Sequence, residues 1–381
     1  MTSSLMDRSQ YPCLRDSVYL NQASVGMIGQ PAVAAMHSFL ENVARHGNLH
    51  MSDSDEINYS HALRRVASRL FHSDPSRIAI LGGASELLGQ FPLVFPLKPN
   101  ATIVAVSSDF PAITRPWVRQ SYSEKNRVRF VDDLPERDLT EAIINAIDET
   151  TGVIAVSCVQ YATGSLVDVR RLAKSAQEVG AFLIIDATQA AGAMPLDTST
   201  LEADAVVASG YKWLGGHGGV ALAAVSESLL QQHPILPGWM GAPDPFDFDA
   251  KSVSFASDAR RFTQSTMSYV SIAGLAVSIE QLLSLGEDRI EAHAHQLAEM
   301  LVDGASEYGW EPFHDVHAVA AAPHIISLGH SRQCAQETVE KLRDHRIICS
   351  VRGGRIRVSL APYNDASDVK KLLQALAGNQ K

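Results

Sequence analysis

Two ionisable residues stand where buried strands are predicted to end. Asp186 closes the apolar run 182–185, and Lys212 follows the apolar run 204–209. A carboxylate at the end of a buried strand needs a cation or hydrogen-bond donors, because burying an unpaired charge is costly. A lysine among apolar neighbours has a disfavoured ammonium form and can act as an amine nucleophile. Asp186 is therefore either the N-cap of a following helix or a catalytic carboxylate. Lys212 is either a partner in a structural ion pair with a buried Asp or a catalytic amine.

A third feature is the glycine turn at residues 82–83. It separates the predicted strand 78–81 from a helix that starts near Ala84 and Ser85. The N-terminus of a helix offers unpaired N–H groups and the positive end of the helix dipole, and both suit a phosphate. The stretch lacks the G-x-G-x-x-G dinucleotide pattern and the Walker lysine. A glycine turn with a serine cap is the purely structural alternative.

A phosphate cradle, a lysine and a carboxylate are together what pyridoxal 5′-phosphate (PLP) requires. Lys212 would hold the cofactor aldehyde as a Schiff base. Asp186 would keep the pyridine nitrogen protonated, so that the ring accepts electrons from a carbanion at the substrate Cα. Ser209 and Tyr211 place hydroxyl groups beside the lysine, and Gln189 follows the carboxylate by three positions. The sequence therefore predicts a PLP site, in which the pyridinium is the cation that balances Asp186.

The elements that must position these residues alternate between short apolar runs and helical stretches. Uninterrupted apolar runs suit parallel strands that are covered on both faces. Residues 168–180 have an Asp near the start, apolar residues at helical spacing and a final Gly, as a connecting helix does. We therefore predict an α/β fold with a large, mostly parallel sheet. Its strands are predicted at 78–81, 102–107, 152–160, 182–187, 204–209 and 219–225, after helices at 31–46 and 59–71.

The character of the chain changes near residue 250. Segment 237–262 contains three prolines and is the predicted junction with a smaller α+β region. We expect an N-terminal segment at 1–25, a large domain at 26–250 and a small C-terminal domain at 251–381. The small region is predicted to contain helices at 268–286 and 289–309, a strand at 324–329, a helix at 333–345, a strand at 355–360 and a final helix from about Asp365.

Composition narrows the function classes. The 381-residue chain has 46% hydrophobic and 19% charged residues, so it can bury a large core. The net charge of −10 argues against nucleic acid or an anionic membrane as the main partner. The four cysteines form no C-x-x-C pair, which favours a reducing compartment without structural zinc, and no metal site is expected. Neither a signal peptide nor an uncharged apolar run of about 18–20 residues is seen, so we expect a cytoplasmic protein.

The chain resembles the class V aminotransferase family of fold type I PLP enzymes, which includes cysteine desulfurases, kynureninases and isopenicillin N epimerase-like proteins. The resemblance covers nearly the whole chain and implies a large seven-stranded-type sheet domain with a smaller C-terminal α+β domain. The stretches that carry it are VYLNQASVG (18–26), GGASE (82–86), SSDFPAITRPW (107–117), VQYATGSLVDV (159–169), DATQAAG (186–192), SGYKWLGG (209–216), RRFTQSTMSYVSIAGL (260–275) and VRGGRIRVSLAPYN (351–364).

The family's motifs imply roles for individual residues. Phe110 would cover the face of the ring, and Tyr161 would contact the cofactor where many relatives have Asn. Gln189 would supply a hydrogen bond to the ring's O3′ instead. Thr266 would reach the phosphate of a neighbouring subunit, with Ser265 in place of the usual Gly, which implies a homodimer. The implied cofactor contacts are Ala84, Ser85, Phe110, Tyr161, Asp186, Gln189, Ser209, Tyr211, Lys212 and Thr266.

The resemblance also implies how an amino-acid substrate is held. Asn21 would lie near the substrate, and Arg357 would bind its carboxylate, because a guanidinium fork can hold a carboxylate bidentately. Arg352 is a second candidate for that contact. The structural alternatives are a surface strand charge for Arg357 and a core position for Phe110.

The preferred function is that of a C–S lyase. Such an enzyme catalyses β-elimination from a sulfur-containing amino acid, here a cysteine conjugate. It needs only the cofactor ring, a carboxylate clamp and Lys212 as the general base at Cα. A persulfide-forming desulfurase is disfavoured, because Cys349 precedes Arg352 and the segment 350–355 contains no cysteine. The alternatives are an epimerase, an aminotransferase or a decarboxylation-dependent oxidative deaminase, a kynureninase-like hydrolase, and a non-catalytic PLP-fold partner protein.

Overall fold

The computed structural model describes residues 2–122 and 126–378. Its strands are β1 Val18–Tyr19, β2 Ile78–Leu81, β3 Thr102–Val106, β4 Arg127–Val131, β5 Thr151–Ser157, β6 Phe182–Asp186, β7 Ala205–Ser209, β8 Ala221–Val225, β9 Trp310–Pro312, β10 Ile325–His330, β11 Ile347–Ile348, β12 Ser350–Arg352 and β13 Arg355–Ser359. Its helices are α1 Gln30–His46, α2 Asp53–Leu70, α3 Ala84–Leu88, α4 Phe91–Val94, α5 Pro111–Ser121, α6 Leu139–Ile144, α7 Val169–Val179, α8 Thr198–Leu201, α9 Glu227–Leu230, α10 Tyr269–Leu285, α11 Glu287–Ser306, α12 Ala335–Asp344 and α13 Ala366–Gly378.

The large sheet has seven strands in the order β2-β8-β7-β6-β5-β3-β4. Strands β3 to β7 pair in parallel, and β8 runs antiparallel to both of its neighbours. Successive residues of one strand pack into different hydrophobic clusters, as Ile184 and Ile185 of β6 do. Both faces of the sheet are therefore covered, which is why its strands read as uninterrupted apolar runs. The predicted mostly parallel α/β sheet is confirmed.

A smaller antiparallel sheet with the order β12-β13-β10-β9 packs with the C-terminal helices. Its hydrophobic cluster contains Leu297 of α11, Val339 of α12 and Leu372 of α13. The N-terminal strand β1 pairs in parallel with β11 of this region. The domain boundary at residue 250 stays a prediction. Ile272 and Leu275 of α10, which follow that boundary in sequence, pack into the hydrophobic cluster of the large sheet.

Two elements differ from the sequence prediction for identifiable reasons. Strand β4 was not predicted, because its sequence RVRFV alternates polar and apolar residues. Among the described strands it pairs only with β3 at the edge of the sheet, where one side can face water. Helix α2 begins six residues before the predicted start at 59. Ser52 and Asp55 form a capping box there and satisfy the first N–H groups of the helix.

No single helix in the described part of the chain is long and apolar enough to cross a membrane. Helices α10 and α11 reach that length and composition only as a pair, and the pair is bent by 76°.

Candidate active site

The sheet positions a cavity of about 180 Å³ at the carboxyl ends of β5, β6 and β7. Ser157, Asp186 and Ser209 are the last residues of these strands and all line the cavity. Ligands of open α/β sheets bind at this edge. Nine of the ten residues predicted to contact a cofactor meet here: Ala84, Ser85, Phe110, Tyr161, Asp186, Gln189, Ser209, Tyr211 and Lys212.

Asp186 is buried and borders the cavity. Its Oδ1 accepts a hydrogen bond of 2.8 Å from the Thr188 N–H, so the carboxylate does organise the turn after β6. Burial raises the pKa of Asp186, whereas the bonds from Thr188 and the attraction of Lys212 oppose that rise. This contact satisfies one oxygen of Asp186, and no cation in the described part of the chain lies within salt-bridge distance of the carboxylate.

Lys212 is also buried, and its Nζ lies 5.2 Å from the centroid of the Phe110 ring and 5.9 Å from that of Tyr211. Burial lowers the pKa of Lys212 to about 8. Attraction by Asp186 opposes this shift, and repulsion by two arginines adds to it. Within residues 2–122 and 126–378, no carboxylate oxygen lies within the 4.0 Å of a salt bridge to Nζ. The alternative of a direct structural ion pair is therefore wrong.

The backbone around the lysine is fixed by the N-terminal segment. The Gly26 N–H donates to the Tyr211 carbonyl at 2.8 Å, and Gln22 Nε2 donates to the Lys212 carbonyl at 2.8 Å. A Cβ atom at Gly26 would lie only 2.2 Å from the Lys212 carbonyl oxygen. Only glycine allows this close approach, which holds the lysine in place beside the cavity.

The lowered pKa predicts unusual reactivity of Lys212 in the cofactor-free protein. Its labelling by an amine-selective acylating reagent is expected to rise with a midpoint near pH 8. An ordinary lysine has its midpoint near 10.4, because its ammonium form is well hydrated. Peptide mapping by mass spectrometry across pH 6–11 measures the profile of Lys212, with a free lysine side-chain standard labelled in parallel as the reference. A Lys212 profile that follows the reference would contradict the assigned environment.

The glycine turn at 82–83 leads into α3 at the rim of the cavity. The N-cap residue of α3 is Gly83, without a side-chain cap, so the serine-cap alternative is wrong. Ala84 and Ser85 occupy the first turn, where N–H groups have no acceptor inside the helix. The Gly82 N–H donates to Glu86 Oε2 at 2.7 Å. The first turn of α3 therefore has donors of the kind that a PLP phosphate needs, and the cavity residues fit the cofactor.

An aromatic pair forms one wall of the cavity. Phe110 is 39% exposed, so the alternative of a core position is wrong. Its ring meets that of Tyr161 edge to face, with centroids 5.5 Å apart. The pair can cover the face of a planar ligand, while the Tyr161 backbone carbonyl is turned towards an arginine.

Asp109 holds this wall in place and was not predicted from the sequence. It is buried, and it accepts hydrogen bonds from the Phe110 N–H at 2.7 Å, from Ser157 N–H and Oγ at 2.7 and 2.6 Å, and from Gln160 Nε2 at 3.1 Å. Burial raises the pKa of Asp109 to about 6 against the effect of these donors. The carboxylate ties the loop after β3 to the end of β5 and thereby fixes the aromatic ring.

Gln189 lines the cavity, and its side-chain amide already makes two hydrogen bonds within the protein. Its Oε1 accepts from Trp213 Nε1 at 2.8 Å, and its Nε2 donates to the Ala23 carbonyl at 3.1 Å. The Nε2 group carries a second hydrogen, so one donor is left for a ligand. The hydrogen bond from Gln189 to a cofactor oxygen stays a prediction.

The three predicted substrate residues converge on Ser24, which the sequence analysis missed. Arg357 Nη2 donates to Ser24 Oγ, and Arg352 Nη2 donates to the same atom at 3.4 Å. Ser24 Oγ in turn donates to Asn21 Oδ1 at 2.8 Å. Arg357 Nη1 reaches the Tyr161 carbonyl at 2.7 Å and so connects this cluster to the cavity wall.

The burial of Arg357 excludes a simple surface role. The residue is 1% exposed, so the alternative of a surface strand charge is wrong. Burial lowers the pKa of Arg357 to about 10, and repulsion by Arg352 contributes. A buried guanidinium next to a second one is a strong site for an anion.

Two further positions lie away from the cavity. Thr266 is exposed and does not line the cavity of its own chain, so its assignment to a neighbouring subunit stays a prediction. Cys349 is buried, and burial raises the pKa of its thiol to about 12. None of the four cysteines lines the cavity.

Comparison with known proteins gives matches along nearly the whole chain. The family model described as aminotransferase class-V matches residues 18–372. The uncharacterized aminotransferase YcbU of Bacillus subtilis is 25% identical over 97% of this chain and 96% of its own. The cysteine desulfurase CsdA of Escherichia coli is 25% identical, again over 97% of this chain and 96% of its own.

Solved structures share the fold. An apo cysteine desulfurase from Thermococcus onnurineus superposes with a TM-score of 0.87 at 20% identity, covering 98% of this chain and 96% of its own. The cystine C–S lyase C-DES, solved with its reaction product cysteine persulfide, gives a TM-score of 0.86 at 21% identity, covering 97% and 99%.

Proposed function

The chain belongs to the class V aminotransferase family of PLP-dependent enzymes, and from this premise we propose that it is a β-eliminating C–S lyase acting on a cysteine conjugate. The observation that carries the proposal is the cavity itself. A lysine of lowered pKa and a buried carboxylate meet there beside an arginine clamp, without a cysteine among the lining residues. These groups suffice for elimination, whereas persulfide formation needs a thiol nucleophile.

The proposed reaction converts a conjugate R–S–CH2–CH(NH3⁺)–COO⁻ and water into a thiol, pyruvate and ammonium. The Cα–H and Cβ–S bonds break, the electron pair of the latter leaves with sulfur, and water hydrolyses the released 2-aminoacrylate. No external oxidant or reductant is needed. When bound, PLP supplies the electron-accepting ring that makes the Cα proton acidic.

The residues of the chain have distinct proposed roles. Lys212 holds the cofactor aldehyde and then removes the Cα proton, for which an amine of pKa about 8 is well suited. Asp186 supplies the negative charge that keeps the pyridine nitrogen protonated. Ala84 and Ser85 receive the phosphate. Arg357 binds the substrate carboxylate and so fixes which Cα bond faces the ring.

Further cavity residues are proposed to shape the site. Phe110 and Tyr161 cover the face of the ring, and Gln189 donates to a ring oxygen. Ser209 and Tyr211 flank the lysine, and Asn21 orients the arginine clamp through Ser24.

A homodimer is part of the proposal. Thr266 is exposed in the single chain and lies on the segment 260–275, whose family counterpart reaches the phosphate of a neighbouring subunit. A partner copy would therefore complete each site. Size-exclusion chromatography with light scattering tests this, and a fully active monomer would contradict it.

An aminotransferase is the second candidate, because one full-length relative carries that description. The two functions differ in what they need from a second substrate. An aminotransferase consumes a keto acid as amino-group acceptor, whereas a lyase does not.

Incubation with S-substituted cysteines discriminates between them. The purified protein, loaded with PLP, is expected to release pyruvate and a thiol in equal amounts without any added keto acid. Coupled detection of pyruvate and thiol titration measure the two products, and protein without cofactor is the control. An obligatory requirement for a keto acid would overturn the lyase assignment.

A further inference from the structure

The two arginines beside the cavity carry more positive charge than a single substrate carboxylate needs. Arg357 and Arg352 both donate to Ser24 Oγ, so their terminal nitrogens lie within hydrogen-bonding reach of one atom. In the described ranges of the chain, neither guanidinium has a carboxylate oxygen within 4.0 Å. Like charges held this close repel each other unless an anion lies between or beside them.

The group that holds the two arginines together cannot balance their charge. Ser24 Oγ donates its only hydrogen to Asn21 Oδ1 at 2.8 Å, and it accepts from both guanidiniums. A hydroxyl offers one donor and two lone pairs, so its hydrogen-bonding capacity is used up. Ser24 is neutral, and the hydrogen bonds that it accepts fix the spacing of the two guanidinium groups.

Arg357 has a buried donor left over. Its Nη1 donates to the Tyr161 carbonyl and its Nη2 donates to Ser24, but its Nε has no hydrogen-bond partner among the described residues. A buried N–H without an acceptor is unfavourable. An acceptor from a ligand would satisfy it, which indicates that this face of the guanidinium is prepared for one anion.

Arg352 stands in a different environment. It is half-buried, and its Nη1 donates to its neighbour's carbonyl, that of Val351, at 2.7 Å. It precedes the exposed glycines Gly353 and Gly354 at the tip of the β12–β13 hairpin. Arg352 is therefore the more outward of the two cations, suited to a group that projects from the cavity.

The charges inside the cavity do not supply the missing anion. Lys212 experiences attraction from Asp186 and repulsion from both arginines. Lys212 and Asp186 line the cavity, whereas the two arginines do not and lie beyond its wall at Tyr161. We assign the cofactor phosphate to the first turn of α3. That helix is a different element from those that carry the two arginines, so the phosphate is not the anion that balances them. A substrate α-carboxylate balances one arginine and leaves the second.

We propose that the substrate is an amino acid with a second acidic group on its side chain. Arg357 binds the α-carboxylate, and Arg352 binds the side-chain anion. This inference rests on the proposed lyase function and names its substrate class. An S-carboxyalkyl cysteine is the simplest conjugate of that class.

A pair of ligands that differ only in charge tests the inference. S-carboxymethyl-L-cysteine carries the second carboxylate, and S-carbamoylmethyl-L-cysteine is its neutral amide with nearly the same shape. Stopped-flow absorbance of the PLP-loaded protein gives the dissociation constant of each before turnover accumulates, at an ionic strength of about 0.15 M. We expect the acid to bind about tenfold or more tightly than the amide, because charge-assisted hydrogen bonds to a guanidinium favour the anion.

Substitution of Arg352 shows where the preference arises. In Arg352→Gln the preference for the acid is expected to fall to about threefold or less, whereas Arg343→Gln, at an exposed position on α12, is expected to keep it. An equal loss for both ligands in Arg352→Gln would show that both arginines hold the α-carboxylate and would overturn the inference. A wild-type protein that binds acid and amide equally would also overturn it, while leaving the lyase function intact. Absence of any spectral change with either ligand would overturn the lyase function itself.

Discussion

Replacing Lys212 with alanine is expected to lower the rate of pyruvate release by about 10⁴-fold or more, as loss of a covalent catalytic residue does in other enzymes. Among the residues that the structure describes, Lys212 is the only lysine that lines the cavity, so no other described lysine can take its place. The same substitution is expected to abolish attachment of PLP that survives borohydride reduction. Intact-mass spectrometry after reduction measures this, with the gain of one reduced cofactor mass in the wild type as the reference.

The matched control is Lys98→Ala, which removes an exposed lysine. It is expected to retain both turnover and the trapped cofactor. A borohydride-stable adduct in Lys212→Ala would refute the assignment of the lysine. A variant that loses the adduct and still releases pyruvate at the wild-type rate would separate attachment from catalysis and refute the role at Cα.

The strand ends of the large sheet could be predicted from the sequence because their pattern is local. A buried parallel strand reads as an unbroken apolar run, so the first polar residue after it marks the carboxyl end. Asp186 was found in this way, and Lys212 was found among the residues that follow the run 204–209. The carboxyl ends of parallel strands meet at the same edge of a sheet. Their convergence on one cavity follows from the topology alone.

The groups that hold these residues could not be predicted, because they come from distant segments. Ser24 accepts a hydrogen bond from Arg357, which lies 333 residues away in the sequence. Asp109 accepts one from Ser157 at the end of β5, which lies 48 residues away. A single serine or aspartate in a loop carries no periodic signal. The only available sign of Asp109 was its place directly before Phe110 in the segment 107–117.

Strand β4 and the role of Thr266 could not be predicted from the sequence pattern, for a related reason. Strand β4 lies at an edge, so its sequence lacks the apolar run by which the inner strands were recognised. The role of Thr266 depends on a second copy of the chain, and the resemblance to a family was the only basis for assigning it. Patterns within one chain describe burial, and they do not reveal which surface another molecule covers.

Replacing Asp186 with asparagine is expected to slow exchange of the substrate Cα proton with D2O by about 10²- to 10³-fold, the usual cost of removing one preorganised electrostatic group. The amide has nearly the same shape, and its oxygen can still accept the Thr188 N–H. Only the negative charge is lost. NMR of the Cα–H signal measures the exchange, and the cofactor is expected to stay attached because Lys212 is intact.

The same variant should also change the lysine, and this gives an independent readout. Attraction by Asp186 raises the pKa of Lys212 against the effect of burial. Without that charge the ammonium form is less stable, so the labelling midpoint of the cofactor-free protein is expected to move below about pH 8. An unchanged midpoint would mean that the carboxylate is neutral or too distant to act on the amine.

Asp186→Ala separates charge from shape. If the negative charge is what matters, the alanine and asparagine variants are expected to lose Cα-proton exchange to a similar extent. If the carboxylate mainly organises the turn after β6, asparagine would keep the Thr188 contact and retain near wild-type exchange, while alanine would lose it. That second pattern would leave the cofactor's ring nitrogen without its proposed counter-charge, and the electron-accepting chemistry assigned to this site would lose its physical basis.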